Sequence, residues 1–163
     1  MITPEALAPF KVGLDSQDPA LMPYLQDNDL SSYNVELDVC VKTSAMSEPF
    51  KVATSNMRYL YYSVAQTIAH HSVTGCNMGV GDMLGTGTIS GPDKSQYGSL
   101  LELCWGGKND IELPGGETRK FLKDGDSVVL RGVCRGDGYT IGFGECEGTI
   151  LPSHDDARYL SSH

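Results

Sequence analysis

The sequence lacks the features of a disulfide-stabilised, zinc-binding or membrane-spanning protein. Its five cysteines are an odd set without a Cys-x-x-Cys pair, which argues against a disulfide framework or zinc ribbon and favours a reducing compartment. No apolar run approaches the roughly 20 residues that a membrane span requires. The N-terminal sequence MITPEALAPF has neither the basic nor the apolar region of a signal peptide. These absences predict a cytoplasmic protein.

Basic residues and nucleotide-binding motifs are also scarce. Lys and Arg number 12 against 21 Asp and Glu, so the formal net charge is −9. This balance disfavours a nucleic-acid partner, because phosphates are bound mainly by basic side chains, and it fits small diffusing substrates. No Gly-Lys-Ser/Thr motif occurs, and the glycine-rich residues 85–91 run into Pro92 rather than into the helix that a dinucleotide fingerprint requires.

Glycine, by contrast, is abundant. Nineteen Gly and eight Pro in 163 residues predict one domain with many turns and short strands. Residues 33–41 alternate between apolar and polar, which predicts a strand, with a hairpin partner at 50–53. Further short strands are predicted at 83–89, 100–105, 110–113, 118–122, 127–134, 139–146 and 149–152. Strands at such close spacing are typical of a β-rich roll or sandwich.

Two helices complete the predicted fold. The first begins near the N-terminus, where a cap residue, a proline and an acidic residue follow one another. These are Thr3, Pro4 and Glu5. The second is one long helix over residues 57–73, because apolar residues recur there every fourth position. These are Leu60, Val64 and Ile68. The predicted class is α+β, mostly β, with one domain over residues 1–152 and a flexible tail over 153–163.

The strongest candidates for a ligand site lie between Gly81 and Glu102. Five glycines in this stretch leave backbone amides open to a ligand. Amides near Gly87, together with the hydroxyl of Thr88, suit a carboxylate or an enolate oxygen. Glu102, placed between two leucines of a predicted strand, can orient a His or hold a water for general-base work. It can equally be a solvent-facing residue of an alternating strand, and the residues alone leave both interpretations open.

Three other reactive side chains are weaker candidates. His70 and His71 are adjacent in the predicted helix, so their rings point about 100° apart and cannot chelate one metal together. Cys76 follows closely and invites a thiol-nucleophile hypothesis. A small, buried, apolar cysteine is the commoner outcome.

Several longer motifs resemble the fumarylacetoacetase family. They are QDP and PYL within residues 17–25, AHHSVTGCN at 69–77, GDMLGTGTISGP at 81–92, GSLLEL at 98–103, TRKFL at 118–122, DGD at 124–126 and GDGYTIGFG at 136–144. Together they cover nearly the whole chain up to Pro152. A shorter G-D-x-x-x-T-G-T core is shared by the wider superfamily, whereas the additional matches are specific.

The resemblance implies a hydrolase that cleaves a carbon–carbon bond in a β-diketo acid. The reaction would convert fumarylacetoacetate to fumarate and acetoacetate, in tyrosine and phenylalanine catabolism. In the family a calcium or magnesium ion stabilises the departing enolate, and a His activates the attacking water. By position, Thr88 with its neighbour Gly87 matches the substrate-contacting Thr, and Glu102 matches the Glu that orients the base and its water. Family likeness also implies a homodimer.

The resemblance covers only the C-terminal part of the family pattern. The acidic metal ligands and the catalytic His of the family lie upstream of the matched part, so no metal ligand is assigned in this chain. By itself the chain is expected to lack metal and turnover. The alternative is a non-catalytic, truncated β-rich module that binds a small acid or a protein partner.

Overall fold

The computed structural model describes residues 1–154, and within them short helices connect antiparallel sheets. The strands are β1 (Lys11–Gly13), β2 (Ser31–Tyr33), β3 (Glu36–Lys42), β4 (Phe50–Asn56), β5 (Ile111–Glu112), β6 (Thr118–Arg119), β7 (Ser127–Arg135) and β8 (Thr140–Thr149). The α-helices are α1 (Pro4–Leu7), α2 (Val64–Ser72) and α3 (Leu100–Leu103), and 3₁₀ turns lie at Ala8–Phe10, Pro23–Leu25, Met57–Tyr59, Lys94–Gln96 and Pro114–Gly116. The predicted class, α+β and mostly β, is confirmed.

The largest sheet has the strand order β4-β3-β7-β8 and is antiparallel throughout. β1 pairs with β2, and β5 pairs with β6, as two separate two-stranded sheets. A buried cluster of Phe10, Val35 and Cys134 brings together the 3₁₀ turn at Ala8–Phe10, the connection between β2 and β3, and β7. In the part of the chain that the structure describes, no helix has the length and apolar character needed to cross a membrane.

Several local predictions are confirmed. The side chain of Thr3 caps α1 by accepting a hydrogen bond from the amide of Ala6 at 3.3 Å. The alternating strand and its hairpin partner are β3 and β4. The predicted division at residue 152 stays a prediction, because residues 155–163 of the expected tail lie outside the described residues.

The prediction of a single long helix over residues 57–73 is wrong. A 3₁₀ turn at Met57–Tyr59 ends in extended backbone, and α2 begins only after Ser63. Ser63 and Gln66 form a capping box, in which each side chain bonds the other residue's backbone amide. Such a box satisfies amides that the first turn of a helix leaves unpaired, so it sets the start of α2 there.

The expected apolar stripe of this helix is also not buried within the described chain. Val64 and Ile68 are 44% and 42% exposed. The buried residue of α2 is instead Gln66, whose amide bonds the side chain of Gln17 and the carbonyl of Leu25. A polar side chain therefore ties α2 to the loop that precedes β2.

Three predicted strands are absent from the described residues. Residues 83–89 pair with no other strand. Gly87 within them takes a positive φ of 75°, and Gly81 just before them takes one of 98°. Residues 100–105 contain α3, which the Ser99 hydroxyl caps and which ends where Trp105 and Gly106 both turn to positive φ. The predicted short strand at 149–152 is wrong as well, since β8 ends at Thr149.

Candidate active-site cleft

A cleft of about 510 Å³ brings two of the predicted site residues together. Its walls come from the turn that follows β4, from the loop before residue 91 and from α3. The lining residues are Tyr59, Leu60, Tyr61, Thr88, Ile89, Ser90, Ser99, Leu101 and Glu102. Among the described residues, Glu102 is the only charged side chain of this lining. Gly87 does not line the cleft, but it is exposed and precedes Thr88.

Hydrogen bonds to the neighbouring elements fix the loop that carries Thr88. The hydroxyl of Ser55, near the end of β4, donates to the carbonyl of Ile89 at 2.6 Å. On the same wall, the side-chain amide of Gln96 donates to the hydroxyl of Tyr59 at 3.0 Å. The main sheet therefore holds the loop at Ile89, the residue next to Thr88, which lines the cleft.

Gly98 permits the close approach between this loop and the start of α3. A Cβ at position 98 would lie 2.5 Å from the carbonyl oxygen of Ile89 and 2.9 Å from Cγ2 of Thr88. Both distances are shorter than van der Waals contact, so any larger residue would displace the loop. Position 98 thus sets the spacing between Thr88 and the helix that carries Glu102.

Glu102 lies on α3, not on a strand, and its carboxylate is held by two hydroxyls. The Ser90 hydroxyl donates to both carboxylate oxygens, at 2.8 and 2.9 Å, and the Ser99 hydroxyl donates to Oε2 at 2.7 Å. Glu102 is half-buried, whereas its neighbours Leu101 and Leu103 are exposed and buried, respectively. The interpretation as a solvent-facing residue of an alternating strand is therefore wrong.

Sequence reasoning missed both serines, although one signal was present. Residues 99–102 read Ser-Leu-Leu-Glu, the pattern of a capping box. Ser99 does cap α3, accepting from the amide of Glu102 at 3.3 Å. Its hydroxyl also holds the Glu102 carboxylate. No local pattern identifies Ser90, which lies 12 positions before Glu102.

The two histidines and Cys76 lie outside this cleft. Nδ1 of His70 is 3.4 Å from the hydroxyl of Tyr24, and Nε2 of His71 is 3.5 Å from Sγ of Cys76. Cys76 is exposed, so the expectation of a buried, apolar cysteine is wrong. His70 instead lines a second, mainly apolar cleft of about 500 Å³, together with Thr86.

The chain matches a known family over most of its length. The family is described as fumarylacetoacetate (FAA) hydrolase, C-terminal, and its profile matches residues 5–151.

The chain belongs to this family.

Similar curated proteins agree. A fumarylacetoacetase of Dictyostelium discoideum is 54% identical over 156 residues, which are 94% of this chain and 36% of that protein. The human fumarylacetoacetase is 47% identical over 149 residues, 91% of this chain and 36% of its own length. The fumarylacetoacetase of Oryza sativa subsp. japonica is 46% identical over 153 residues, which are 94% of this chain and 35% of that protein. The chain thus spans about a third of the length of these relatives.

Proposed function

We propose that this chain is the C-terminal portion of the catalytic domain of a hydrolase that cleaves a carbon–carbon bond in a β-diketo acid. The proposed reaction converts fumarylacetoacetate and water to fumarate and acetoacetate, a step of tyrosine and phenylalanine catabolism. The observation that carries this proposal is the shared cleft, in which Thr88 and Glu102 lie together inside the segment that matches the family. We call the longer protein that contains these residues the complete enzyme.

Each cleft residue has a proposed role. The hydroxyl of Thr88, with the exposed backbone beside Gly87, donates to a substrate carboxylate or to the developing enolate oxygen. The carboxylate of Glu102 orients the imidazole of a base and accepts a hydrogen bond from the attacking water. The base removes a proton from the attacking water, and the resulting hydroxide adds to the carbonyl. The carbon–carbon bond then breaks, its electron pair leaves as an enolate, and the enolate takes up the proton that the base removed.

The base and the metal are proposed to come from elsewhere in the complete enzyme. Within residues 1–154, no group of three or more His, Cys, Asp or Glu side chains is placed to hold a metal ion. The residues described here therefore do not fit the calcium or magnesium site of the family, and the proposed roles of Thr88 and Glu102 involve no metal. We further propose a homodimer in the cytoplasm with no membrane partner. We also propose that it has no nucleic-acid partner, which the net charge of −9 supports.

A second candidate function is a non-catalytic module. The observation that favours it is the second cleft, which Leu21, Met22 and Tyr62 line with mostly apolar surface. Such a surface can bind a small acid or a protein segment without any reaction.

Substrate consumption distinguishes the two functions. The complete enzyme, supplied with magnesium or calcium, is expected to consume fumarylacetoacetate. The reaction is measured by the loss of the substrate's ultraviolet absorbance and by NMR detection of fumarate. The 163-residue chain alone is expected neither to turn over substrate nor to bind calcium in a calorimetric titration. Intact substrate after incubation with the complete enzyme would favour the binding module. Calcium binding by the chain alone would contradict the placement of the metal ligands outside it.

Thr88→Val is expected to lower kcat/KM of the complete enzyme about 10- to 100-fold. Valine keeps the shape of threonine but cannot donate a hydrogen bond, and such a bond to a charged oxygen contributes about 1.5–3 kcal/mol. The measurement is steady-state kinetics on fumarylacetoacetate. Thr140→Val, the same change at the exposed start of β8, is the matched control and should keep wild-type rates. Equal rates in the two variants would remove Thr88 from the site.

A further inference from the structure

Hydrogen bonds from neighbouring side chains fix the orientation of the Glu102 carboxylate in the cleft. Three contacts from two neutral hydroxyls reach it: two from Ser90 and one from Ser99. All of them are 2.7–2.9 Å long, in the range of good hydrogen bonds. No lysine or arginine is among the described residues that line the cleft. The carboxylate is therefore held by hydroxyl dipoles, without an ion pair to any described residue of this lining.

The two hydroxyls are themselves oriented by backbone amides. The amide of Gly98 donates to Oγ of Ser90 at 3.0 Å, and the amide of Glu102 donates to Oγ of Ser99 at 3.3 Å. A hydroxyl has one proton and two lone pairs. Because an amide occupies one lone pair of each oxygen, each O–H is directed toward the carboxylate. The loop and the first turn of α3 thus aim both donors at Glu102.

The distribution of these bonds over the two carboxylate oxygens is unequal. Oε2 accepts from both Ser90 and Ser99, whereas Oε1 accepts from Ser90 alone. Each carboxylate oxygen has about two acceptor sites. The single Ser90 proton is shared between the two oxygens, and the Ser99 proton goes to Oε2 alone, so Oε1 is the less occupied oxygen and can accept from a further donor.

We infer that Ser90 and Ser99 are positioning residues that present Oε1 of Glu102 as the acceptor for the N–H of the catalytic imidazole or for the attacking water. The inference rests on the proposed function of the complete enzyme. In this role Ser90 and Ser99 act through Glu102 and not through the substrate. They fix the rotation of the carboxylate, so that one defined oxygen meets the base.

Kinetics of hydroxyl-deleted variants test this role. In the complete enzyme, Ser90→Ala and Ser99→Ala are each expected to lower kcat for fumarylacetoacetate about 10- to 100-fold, because small misplacements of a catalytic group are that costly. KM should change less than about twofold. Ser90→Thr and Ser99→Thr retain the hydroxyl and should recover most of the rate. Ser95→Ala, on the exposed Lys94–Gln96 turn, is the control and should match wild type.

A double-mutant cycle separates positioning from general loss of structure. In a Glu102→Gln background, Ser90→Ala should have little further effect on kcat, because both changes remove the same oriented carboxylate. A further drop of 10-fold or more would show that Ser90 acts through something else and would overturn the inference. Wild-type kcat in Ser90→Ala and Ser99→Ala would also overturn it while leaving the proposed function intact. An inactive wild-type enzyme, by contrast, would refute the proposed function itself.

Discussion

Replacing Glu102 with Gln is expected to lower kcat of the complete enzyme about 100- to 10,000-fold, the range that general acid–base groups contribute. Glutamine has nearly the same shape as glutamate but no charge, so it cannot stabilise a protonated imidazole or polarise the attacking water. In the wild type, the hydroxyls of Ser90 and Ser99 donate to the two carboxylate oxygens of Glu102. The glutamine side chain has an amide nitrogen in place of one of these oxygens, and that nitrogen is a donor and cannot accept such a bond. The variant therefore loses both the charge and the arrangement that holds it.

The measurement is kcat and KM for fumarylacetoacetate at saturating divalent cation. KM is expected to stay within a few-fold of the wild-type value, since Thr88 and the exposed backbone beside it remain unchanged. Glu112→Gln, on the exposed end of β5, is the matched control because it removes one charge away from the cleft. A Glu102→Gln enzyme that runs within threefold of wild type would contradict the assignment of Glu102 to the catalytic machinery.

The largest stability effect is expected from Asp126→Ala, at the turn between β6 and β7. The side chains of Asp126 and Arg119 are only 2% and 9% exposed. The guanidinium donates from two nitrogens to the two carboxylate oxygens, at 2.8 and 2.9 Å, and the amide of Lys123 donates to Oδ2 at 2.9 Å. Without Asp126, the buried guanidinium keeps only a longer contact of 3.7 Å to the Glu117 carboxylate among the described residues. Breaking a buried ion pair by removing one partner costs about 3–5 kcal/mol.

Urea unfolding of the 163-residue chain, followed by the fluorescence of Trp105, measures this loss. Asp124→Ala, two positions earlier on the exposed part of the same turn, is the matched control and should change the free energy of unfolding by less than about 0.5 kcal/mol. If Asp126→Ala unfolds at the wild-type urea concentration, the ion pair does not hold β6 to β7.

The same ion pair predicts a specific pH dependence. The hydrogen bonds from Arg119 hold the pKa of the Asp126 carboxyl below its ordinary value, helped by the Lys123 amide and opposed by burial. A carboxyl with a lowered folded-state pKa stabilises the protein above its unfolded pKa of about 3.9, and this contribution is lost as the pH falls through the folded value. Below about pH 4, wild type should therefore lose more stability than Asp126→Ala, and parallel curves would contradict this assignment.

Local sequence signals predicted the elements that depend on neighbouring residues. The cap at Thr3 and the alternation in β3 were readable because each involves residues only a few positions apart. The prediction failed at the long helix, where apolar spacing continued across a break that Ser63 and Gln66 impose. It failed again at residues 100–103, where the cap at Ser99 and the positive φ of Trp105 favour one helical turn over a strand.

For the candidate site as well, the sequence predicted some features and could not show others. Glycine content and the hydroxyls between residues 81 and 102 indicated a ligand-facing stretch, and the longer motifs indicated the family, which the matched profile confirms. The roles of Gly87, Thr88 and Glu102 remain predictions. Sequence spacing could not show that Thr86 and Thr88, two positions apart, would line different clefts. That separation depends on the backbone turn at Gly87, whose φ is 75°.

The amino-acid sequence by itself determined the mostly β class, the family and the position of the Glu102 carboxylate at the end of the glycine-rich stretch. Only the tertiary structure decided what surrounds that carboxylate. Ser90 reaches Glu102 because Ser55 holds the loop at Ile89 and because Gly98 lets α3 approach it. The two hydrogen bonds join residues 12 and 34 positions apart. Packing brings them together, and no local periodicity encodes that packing.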